Sequence, residues 1–271
     1  MRRIEILLPL LMAVLLVLAP TFSGNDPQKQ NRELLLSAPG ADHWFGTDEY
    51  GRDQLARFLS GGRWSVGVGV AAVTMCLALA WTLGASAALL PGFGALILWI
   101  ADLFLCLPWL YLLIAARAAL PLDLPPRLTF SIMLLLLACT GWARPARLVR
   151  GKVLEIRQRG YVEAALGFGH SMPAVFLRHI LPSTWDLLLA QSILLLPRFV
   201  LAELTLSFLG AGASEPLASW GALVVPLKQV YLFEQMQQHW WRMLPLLAMI
   251  PFFAVFAICG RALESRHRIL R

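Results

Sequence analysis

Apolar runs long enough to cross a lipid bilayer are the feature of this sequence that most limits its fold. Runs of more than 20 residues cover 66–90, 95–120 and 185–209; shorter runs cover 6–19 and 243–259, and residues 128–142 begin a fourth span. A helix of about 20 apolar residues crosses a hydrocarbon core about 30 Å thick. Apolar residues make up 58% of the 271 positions and charged residues only 14%, which is too little charge for a typical soluble domain. The sequence therefore predicts an all-α integral membrane protein with six transmembrane helices.

The distribution of positive charge predicts how these helices are oriented. The net charge is +7, and the polar segment 143–182 carries seven arginine or lysine residues against two glutamates. Short loops rich in arginine and lysine stay on the cytoplasmic side of a membrane. Six spans then place both termini in the cytoplasm and residues 23–64 on the outer side. A basic excess divided in this way does not form a nucleic-acid-binding face.

The sequence contains no recognisable motif for catalysis, for a metal or for a cofactor. It lacks His-Glu-x-x-His and Gly-x-Ser-x-Gly, and its four cysteines are scattered singly within apolar runs. We therefore expect no catalytic residue, no metal ligand and no bound cofactor.

Three charged residues, Asp102, Arg198 and Glu203, lie within the apolar runs. An unpaired charge at the centre of a bilayer costs at least about 2.5–3.5 kcal/mol. We expect these side chains to face a translocation path or a partner inside the membrane, although packing between helices is an equal alternative for Asp102. Glu203 and Arg117 are expected at similar depths, so we hypothesise an ion pair between them.

Four motifs occur in the order that is known from one family of membrane transporters. They are Gly-Thr-Asp-x-x-Gly-Arg-Asp at 46–53, Trp-x-x-x-Ala-Arg-x-x-Arg-Gly at 142–151, a Glu-Ala-Ala loop at 161–169 that closes at residues 179–182, and Leu-Ser-Phe-Leu-Gly at 206–210 followed by Ser-Trp-Gly at 219–221. From about residue 42 to residue 260 the chain resembles permeases of ABC importers for oligopeptides, dipeptides and nickel, and within them the second permease subunit. It departs from that pattern at Arg198, where relatives mostly have an apolar residue.

The resemblance implies a fold like that of a type I ABC importer permease, with a cytoplasmic loop that couples it to an ATPase. The coupling residues it implies are Tyr161, Val162, Glu163, Ala164, Ala165, Gly169, Leu181 and Pro182. Tyr161, Val162, Ala165, Leu166 and Phe168 are expected to supply the apolar anchors for the ATPase. Partners implied in the same way are a second permease subunit, two ATPase subunits and a periplasmic solute-binding protein, in a bacterial inner membrane.

This reading divides the chain into four regions. They are an amino-terminal transmembrane anchor at 1–22, a periplasmic segment at 23–64, a core of five spans at 65–262 that contains the coupling loop 143–182, and a basic cytoplasmic tail at 263–271. The anchor also has the layout of a signal peptide, but residues 19–21 make a poor cleavage site. We expect a short amphipathic helix over residues 46–59, capped by Thr47 or Asp48 and ended by Gly61 and Gly62.

Two other functions stay open on the sequence alone: a membrane scaffold that does not transport, and an intramembrane enzyme. The missing catalytic motifs count against the enzyme. Peptides are the expected cargo of a permease of this kind, with nickel, opines or sugars as alternatives.

Overall fold

The computed structural model of the chain describes residues 2–22, 24–90, 92–121, 124–210, 219–228 and 238–269. Within these residues the chain is helical and has no β-strand. The helices are α1 Arg2–Leu18, α2 Gln54–Leu89, α3 Phe93–Cys106, α4 Trp109–Ala118, α5 Pro126–Gly141, α6 Ala143–Arg157, α7 Gly160–Gly167, α8 Met172–Val175, α9 Leu181–Ser183, α10 Trp185–Phe208, α11 Trp220–Val224 and α12 Leu244–Ile269. The predicted cytoplasmic tail, 263–271, is not separated from the last span by a break in the helix, because α12 continues to Ile269. Leu270 and Arg271 lie outside the described residues.

Four stretches are single helices long and apolar enough to cross a membrane: Ile4–Thr21, Gln54–Leu89, Trp185–Phe208 and Trp240–Leu263. Two further spans are pairs of helices bent at a short break. The angle is 89° between α3 and α4 and 46° between α5 and α6. Each bent pair counted as one span gives six spans, the predicted number. The fourth span then continues into α6, which the sequence analysis placed in the loop 143–182.

Prolines explain both breaks. Pro108 precedes α4 and has no N–H group to continue the hydrogen bonds of α3. Its ring also disfavours a helical conformation for Leu107, which is extended with φ −86° and ψ 137°. In α6, Pro145 cannot donate to the Gly141 carbonyl four residues earlier, so the helix bends between α5 and α6. Pro108 therefore breaks the third span completely.

Helix α2 is the central helix of the fold and packs against α1, α3, α5, α6, α10 and α11. The side chains it buries include many small ones, among them Ala72, Ala80, Ala85 and Ala87. Small side chains let helix backbones approach closely, which is the main source of attraction between helices in lipid. The sequence of α2 thus suits a helix that is covered on most of its circumference.

The prediction of a separate amphipathic helix over residues 46–59 is wrong. Helix α2 begins at Gln54 and runs without interruption through Gly61 and Gly62, which were expected to end a helix. A β-carbon on Gly61 would lie 3.0 Å from the Trp220 backbone nitrogen, and one on Gly62 would lie 3.2 Å from the Trp220 ring. These two glycines therefore permit close packing of α11 on α2 within a continuous helix.

Residues 46–53, which were expected to be helical, form a compact turn that we call the polar knot. Thr47 is fully buried at its centre. The Thr47 hydroxyl donates to the Leu34 carbonyl and accepts from the Ser37 amide at 2.8 Å. The Gln54 amide donates to the Gly46 carbonyl at 3.1 Å and so closes the turn onto the start of α2. Thr47 is therefore an anchor for the preceding segment and not a helix cap.

Asp48 holds the other side of the polar knot. Its carboxylate accepts hydrogen bonds from Arg52 Nε at 2.8 Å and from Arg57 Nη1 at 2.6 Å, and both arginines are almost completely buried. Charge-assisted bonds of this kind are stronger than neutral ones, and they offset the cost of burying the guanidinium groups. The Asp and Arg of the 46–53 motif thus form one buried ion cluster with Arg57.

The amino-terminal cap of α2 is Asp53, whose carboxylate accepts from the Ala56 amide at 2.9 Å and from the Asn25 amide at 2.8 Å. The same carboxylate lies 2.7 Å from His43 Nδ1. Burial raises the pKa of Asp53, but the hydrogen bonds from Ala56, His43 and Asn25 outweigh it and leave the pKa below its usual value. The folded protein therefore favours the ionised carboxylate.

We expect Asp53→Ala to destabilise the purified chain at neutral pH by about 1 kcal/mol through loss of the cap alone. Because the pKa is lowered on folding, the contribution of Asp53 is present above its unfolded pKa of about 3.9 and is lost as the pH falls through the lower folded value. Thermal unfolding at pH 7 and at pH 3.5 should show a smaller difference between wild type and variant at pH 3.5. Asp42→Ala, at an exposed position, is the control and should change neither value.

Candidate functional site

Helix α7, Gly160–Gly167, lies in the middle of the basic segment between α6 and α10. It begins after Arg159, which is extended, and it ends at Phe168. Gly169 follows with a φ of +84°, a conformation that a β-carbon opposes. The His170 amide then donates to the Ala165 carbonyl at 3.2 Å, so the chain reverses tightly after the helix.

One face of α7 packs against its own chain. Val162 is completely buried and Ala165 is 9% exposed. Both belong to a hydrophobic cluster that is separate from the main core and whose other buried members are Ala85, Val149, Val153, Ile156, Val175 and Ile180. This cluster fixes α7 to α6 and to the end of α2.

The opposite face of α7 is open. Phe168 is 84% exposed and Tyr161 46% exposed, and Glu163 and Ala164 are exposed as well. Among the described residues the Glu163 carboxylate has no hydrogen-bond partner. The expectation that Val162 and Ala165 anchor a partner is therefore wrong, because they anchor α7 to the chain itself. Tyr161, Glu163 and Phe168 are the side chains that a partner can reach.

The loop closes through Leu181 and Pro182. Pro182 cannot donate to the carbonyl four residues earlier, and the helix preceding it widens to a π-helix over Phe176–Ile180. The Leu181 amide donates to the Phe176 carbonyl in this wider pattern. The ring of His179 lies 5.9 Å from the ring of Tyr161, so the closing segment contacts the open face of α7.

The acid that precedes α7 in the chain, Glu155, is paired with two basic side chains close to it. Glu155 accepts from Lys152 at 2.9 Å and from Arg159 at 2.6 Å. These hydrogen bonds, from Lys152 first and Arg159 second, lower the pKa of Glu155. Glu155 is thus occupied by its own helix and its neighbour, which leaves Glu163 as the acid that α7 presents outward.

Near the carboxyl end of α10, Glu203 is completely buried and bound by hydroxyl groups. Ser65 of α2 donates to it at 2.8 Å and Ser207 at 3.1 Å, and Ser219 also bonds to it. The Ser65 hydroxyl in turn accepts from the Trp220 amide at 3.0 Å. We call these residues the Glu203 network. It joins α2, α10 and α11 in a single hydrogen-bonded unit.

Comparison with known proteins identifies the family. Residues 80–268 match the family model of the binding-protein-dependent transport system inner membrane component. The chain belongs to this family. The oligopeptide transport system permease protein OppC of Bacillus subtilis is 33% identical over 221 residues, which are 81% of this chain and 70% of the relative. The dipeptide transport system permease protein DppC of the same organism is 33% identical over 235 residues, 86% of this chain and 70% of the relative.

The family makes this chain a multi-pass membrane permease that works with other subunits of a transport system. The motifs quoted from the sequence now have structural roles in the permease. The 46–53 motif builds the polar knot, the segments around Ser207 and Ser219 supply the Glu203 network, and the Glu-Ala-Ala loop contains α7.

The hypothesised pair between Glu203 and Arg117 is wrong. Glu203 is bound by serines, whereas Arg117 is buried and donates to the carbonyl of Pro121 at 3.0 Å. Similar depth in the membrane did not bring the two side chains together, because α10 and α4 present them to different neighbours.

Asp102 and Arg198 are both exposed on the isolated permease. Asp102 forms an ion pair with Arg147 of α6, and the Arg198 guanidinium lies 5.4 Å from the centre of the Trp109 ring. Arg147 and the three serines of the Glu203 network were missed by the sequence reasoning. The family motifs include Ser207, Ser219 and Arg147, so membership of a motif could have identified these residues. Ser65 lies outside the motifs, and nothing in the sequence indicated its role.

Within the described ranges there is no group of three histidine, cysteine, aspartate or glutamate residues placed to hold a metal ion. Cys76 and Cys259 are buried, and Cys106 and Cys139 are exposed on the apolar surface.

Proposed function

We propose that this permease and a second permease subunit form the path by which di- or oligopeptides cross a bacterial inner membrane. Two separate ATPase subunits hydrolyse the ATP, and a periplasmic solute-binding protein delivers the cargo to the outer side. The peptide cargo is supported by the names of the relatives, OppC and DppC. The basic residues nearer to α7, namely Arg150, Lys152, Arg157, Arg159 and Arg178, support a cytoplasmic position for α7 and, counted across the spans, for both termini.

The observation that carries the coupling role is the division of α7 into two faces. Val162 and Ala165 fix it to the permease, while Phe168 and Tyr161 remain exposed beside the unpaired Glu163. Short amphipathic helices commonly bind in a groove of a partner through such exposed apolar side chains. Tyr161, Glu163 and Phe168 are therefore the contacts that we assign to an ATPase, and closure of the ATPases is transmitted through α7 as rigid-body motion of the spans.

The test is purification of the tagged permease from its native membrane, followed by quantification of the ATPase that accompanies it. We expect Phe168→Ser to weaken ATPase binding by about tenfold or more, since burying a phenylalanine contributes about 1.5–3 kcal/mol. Glu163→Ala should weaken it as well. The second permease subunit should be recovered in undiminished amount with both variants, because α7 lies outside the candidate membrane spans.

Trp44→Ser is the matched control, since Trp44 is 70% exposed and lies beside the polar knot at the other end of α2. It should leave ATPase recovery unchanged. Equal ATPase recovery with wild type, Phe168→Ser and Glu163→Ala would rule out the assigned docking face. Recovery of the permease without any ATPase or second permease subunit, in several mild detergents, would instead favour a scaffold that does not transport.

A further inference from the structure

Charged side chains from three helices lie together near the middle of the spans. They are Asp102 on α3, Arg144 and Arg147 on α6, and Arg198 on α10, and we call them the intramembrane arginine cluster. Arg198 is the fourteenth residue of the 24-residue helix α10. At 1.5 Å per residue it lies about 20 Å from one end of that helix and about 15 Å from the other. Arg198 therefore lies near the middle of its span, while Arg144 and Arg147 lie at the start of α6, within the bent fourth span.

The members of the cluster are connected by contacts. Asp102 pairs with Arg147, and Arg144 stands three residues earlier on the same helix. The start of α6 lies against α10 at this level, since a β-carbon on Gly141, three residues before Arg144, would lie 2.7 Å from the ring of Phe199, the neighbour of Arg198. The Arg198 guanidinium lies 5.4 Å from the centre of the Trp109 ring, which stacks on Phe199. The break at Pro108 is what places Trp109 at the start of a new helix, next to α10.

The charges in the cluster do not balance. Asp102 offsets Arg147, and among the described residues neither Arg144 nor Arg198 contacts a carboxylate. Two positive charges thus remain. An arginine facing lipid at this depth costs at least about 2.5–3.5 kcal/mol, and the contact with Trp109 contributes only about 0.5–2 kcal/mol. Arg144 and Arg198 therefore need water, an anion or an acid of another subunit beside them rather than lipid.

The side chains are accessible to such an anion. The Asp102 and Arg147 side chains are 53% and 42% exposed, and Arg198 is exposed too. The stacking of Arg198 on Trp109 restrains the guanidinium and leaves its N–H groups free to bind. A guanidinium binds a carboxylate through two parallel hydrogen bonds, which selects that group by its planar geometry as well as by its charge.

We propose that Arg198 and Arg144 form a subsite in the translocation path that binds the carboxylate of the passing solute. The solute class is one that carries a free carboxylate, such as the carboxyl terminus of a peptide, which is ionised at neutral pH. The subsite rests on the proposed transport function and adds a selectivity that lies in the membrane, separate from that of the delivering protein. Asp102 keeps Arg147 from competing for the same anion.

The experiment compares a peptide acid with its amide. The complex is purified through a tag on the permease, placed in phosphatidylcholine vesicles, and supplied with ATP and its solute-binding protein. Uptake of radiolabelled alanyl-phenylalanine and of its carboxyl-terminal amide is measured for wild type, Arg198→Gln and Arg144→Gln. Any preference of the delivering protein is the same for all variants, so it cancels when the acid-to-amide ratios are compared.

We expect Arg198→Gln and Arg144→Gln to lower the acid-to-amide ratio about tenfold, corresponding to the loss of one charged contact. Arg198→Lys, which keeps the charge without the planar fork, should retain an intermediate ratio. Arg63→Gln is the matched control, because Arg63 is exposed near the start of α2 and outside the cluster. It should leave the ratio unchanged.

The subsite is overturned if both substrates are transported and the ratio is the same in wild type and both glutamine variants. It is also overturned if the ratio changes only in vesicles that contain phosphatidylglycerol, which would assign the arginines to a lipid phosphate. Loss of the second permease subunit from the Arg198→Gln complex would assign Arg198 to an acid of that subunit and likewise reject the subsite. Absence of uptake of either substrate by the wild type contradicts the proposed peptide cargo instead.

Discussion

Replacing Gly51 with alanine is expected to lower the melting temperature of the detergent-purified permease by at least about 5 °C. Gly51 has a φ of +71°, and a β-carbon there would lie 1.8 Å from the Asn31 carbonyl oxygen and 2.7 Å from the carbonyl carbon. The conformation alone costs about 1–2 kcal/mol for a residue with a β-carbon. The overlap adds to this cost, since it is with backbone that cannot rotate away. Each kcal/mol shifts the melting temperature of a chain of this size by about 2–4 °C.

Two variants separate the causes of this effect. Gly40→Ala is the control, because a β-carbon at Gly40 has no neighbour within 4 Å, and it should melt like the wild type. Gly51→Asn tests conformation against space, since asparagine tolerates a positive φ but still carries a β-carbon. It should be nearly as damaging as alanine. A melting temperature of Gly51→Ala within 1 °C of wild type would show that the Asn31 segment does not pack on Gly51.

Hydropathy was sufficient to predict the six spans, because each apolar run must be matched to the thickness of a bilayer whatever its neighbours are. The local chemistry of proline explains why the third span breaks at Pro108. Its angle of 89° was beyond prediction, since it depends on how α4 packs on α5 and on the contact of Trp109 with Phe199. The family and its motifs were recognisable for the same reason: they are local in sequence.

The polar knot shows where local reasoning failed. Thr47, Asp48 and Glu49 have the composition of a helix start, and this pattern favoured a helix from residue 46. The competing signal was the pair of glycines at 46 and 51, which have φ of +69° and +71°. The hydrogen-bond partners of Thr47 come from residues 34 and 37, and nothing in the 46–53 motif identifies them.

Long-range packing decided the remaining errors. Gly61 and Gly62 are common helix ends, but here the ring of Trp220, far along the chain, needs the space that they leave. Helix α7 has apolar residues on both faces, so its sequence alone does not distinguish Val162, which is buried, from Phe168, which is exposed. The two faces differ only because α6 and the segment around Ile180 cover one of them.

Replacing Glu203 with leucine is expected to lower the melting temperature of the permease by about 10 °C or more. The leucine side chain removes the acceptor of the hydroxyl groups of Ser65, Ser207 and Ser219, all of them buried. Each buried donor left without a partner costs about 1–3 kcal/mol, which gives about 3–6 kcal/mol for a network that can relax in part. Thermal unfolding in detergent, followed by tryptophan fluorescence, measures the shift.

The opposite result is a physical possibility, because replacing buried charged groups with apolar ones of similar volume is often neutral or stabilising. That outcome requires all partners to become apolar together, whereas Glu203→Leu leaves the serines in place. Glu203→Gln, which keeps one acceptor oxygen, should therefore melt between wild type and leucine. Ser65→Ala should also destabilise, since it orphans the Trp220 amide, while Thr205→Ala, whose hydroxyl bonds only to its own helix, should not. A Glu203→Leu permease as stable as wild type would mean that the serines find other acceptors, and that the carboxylate does not hold α2, α10 and α11 together.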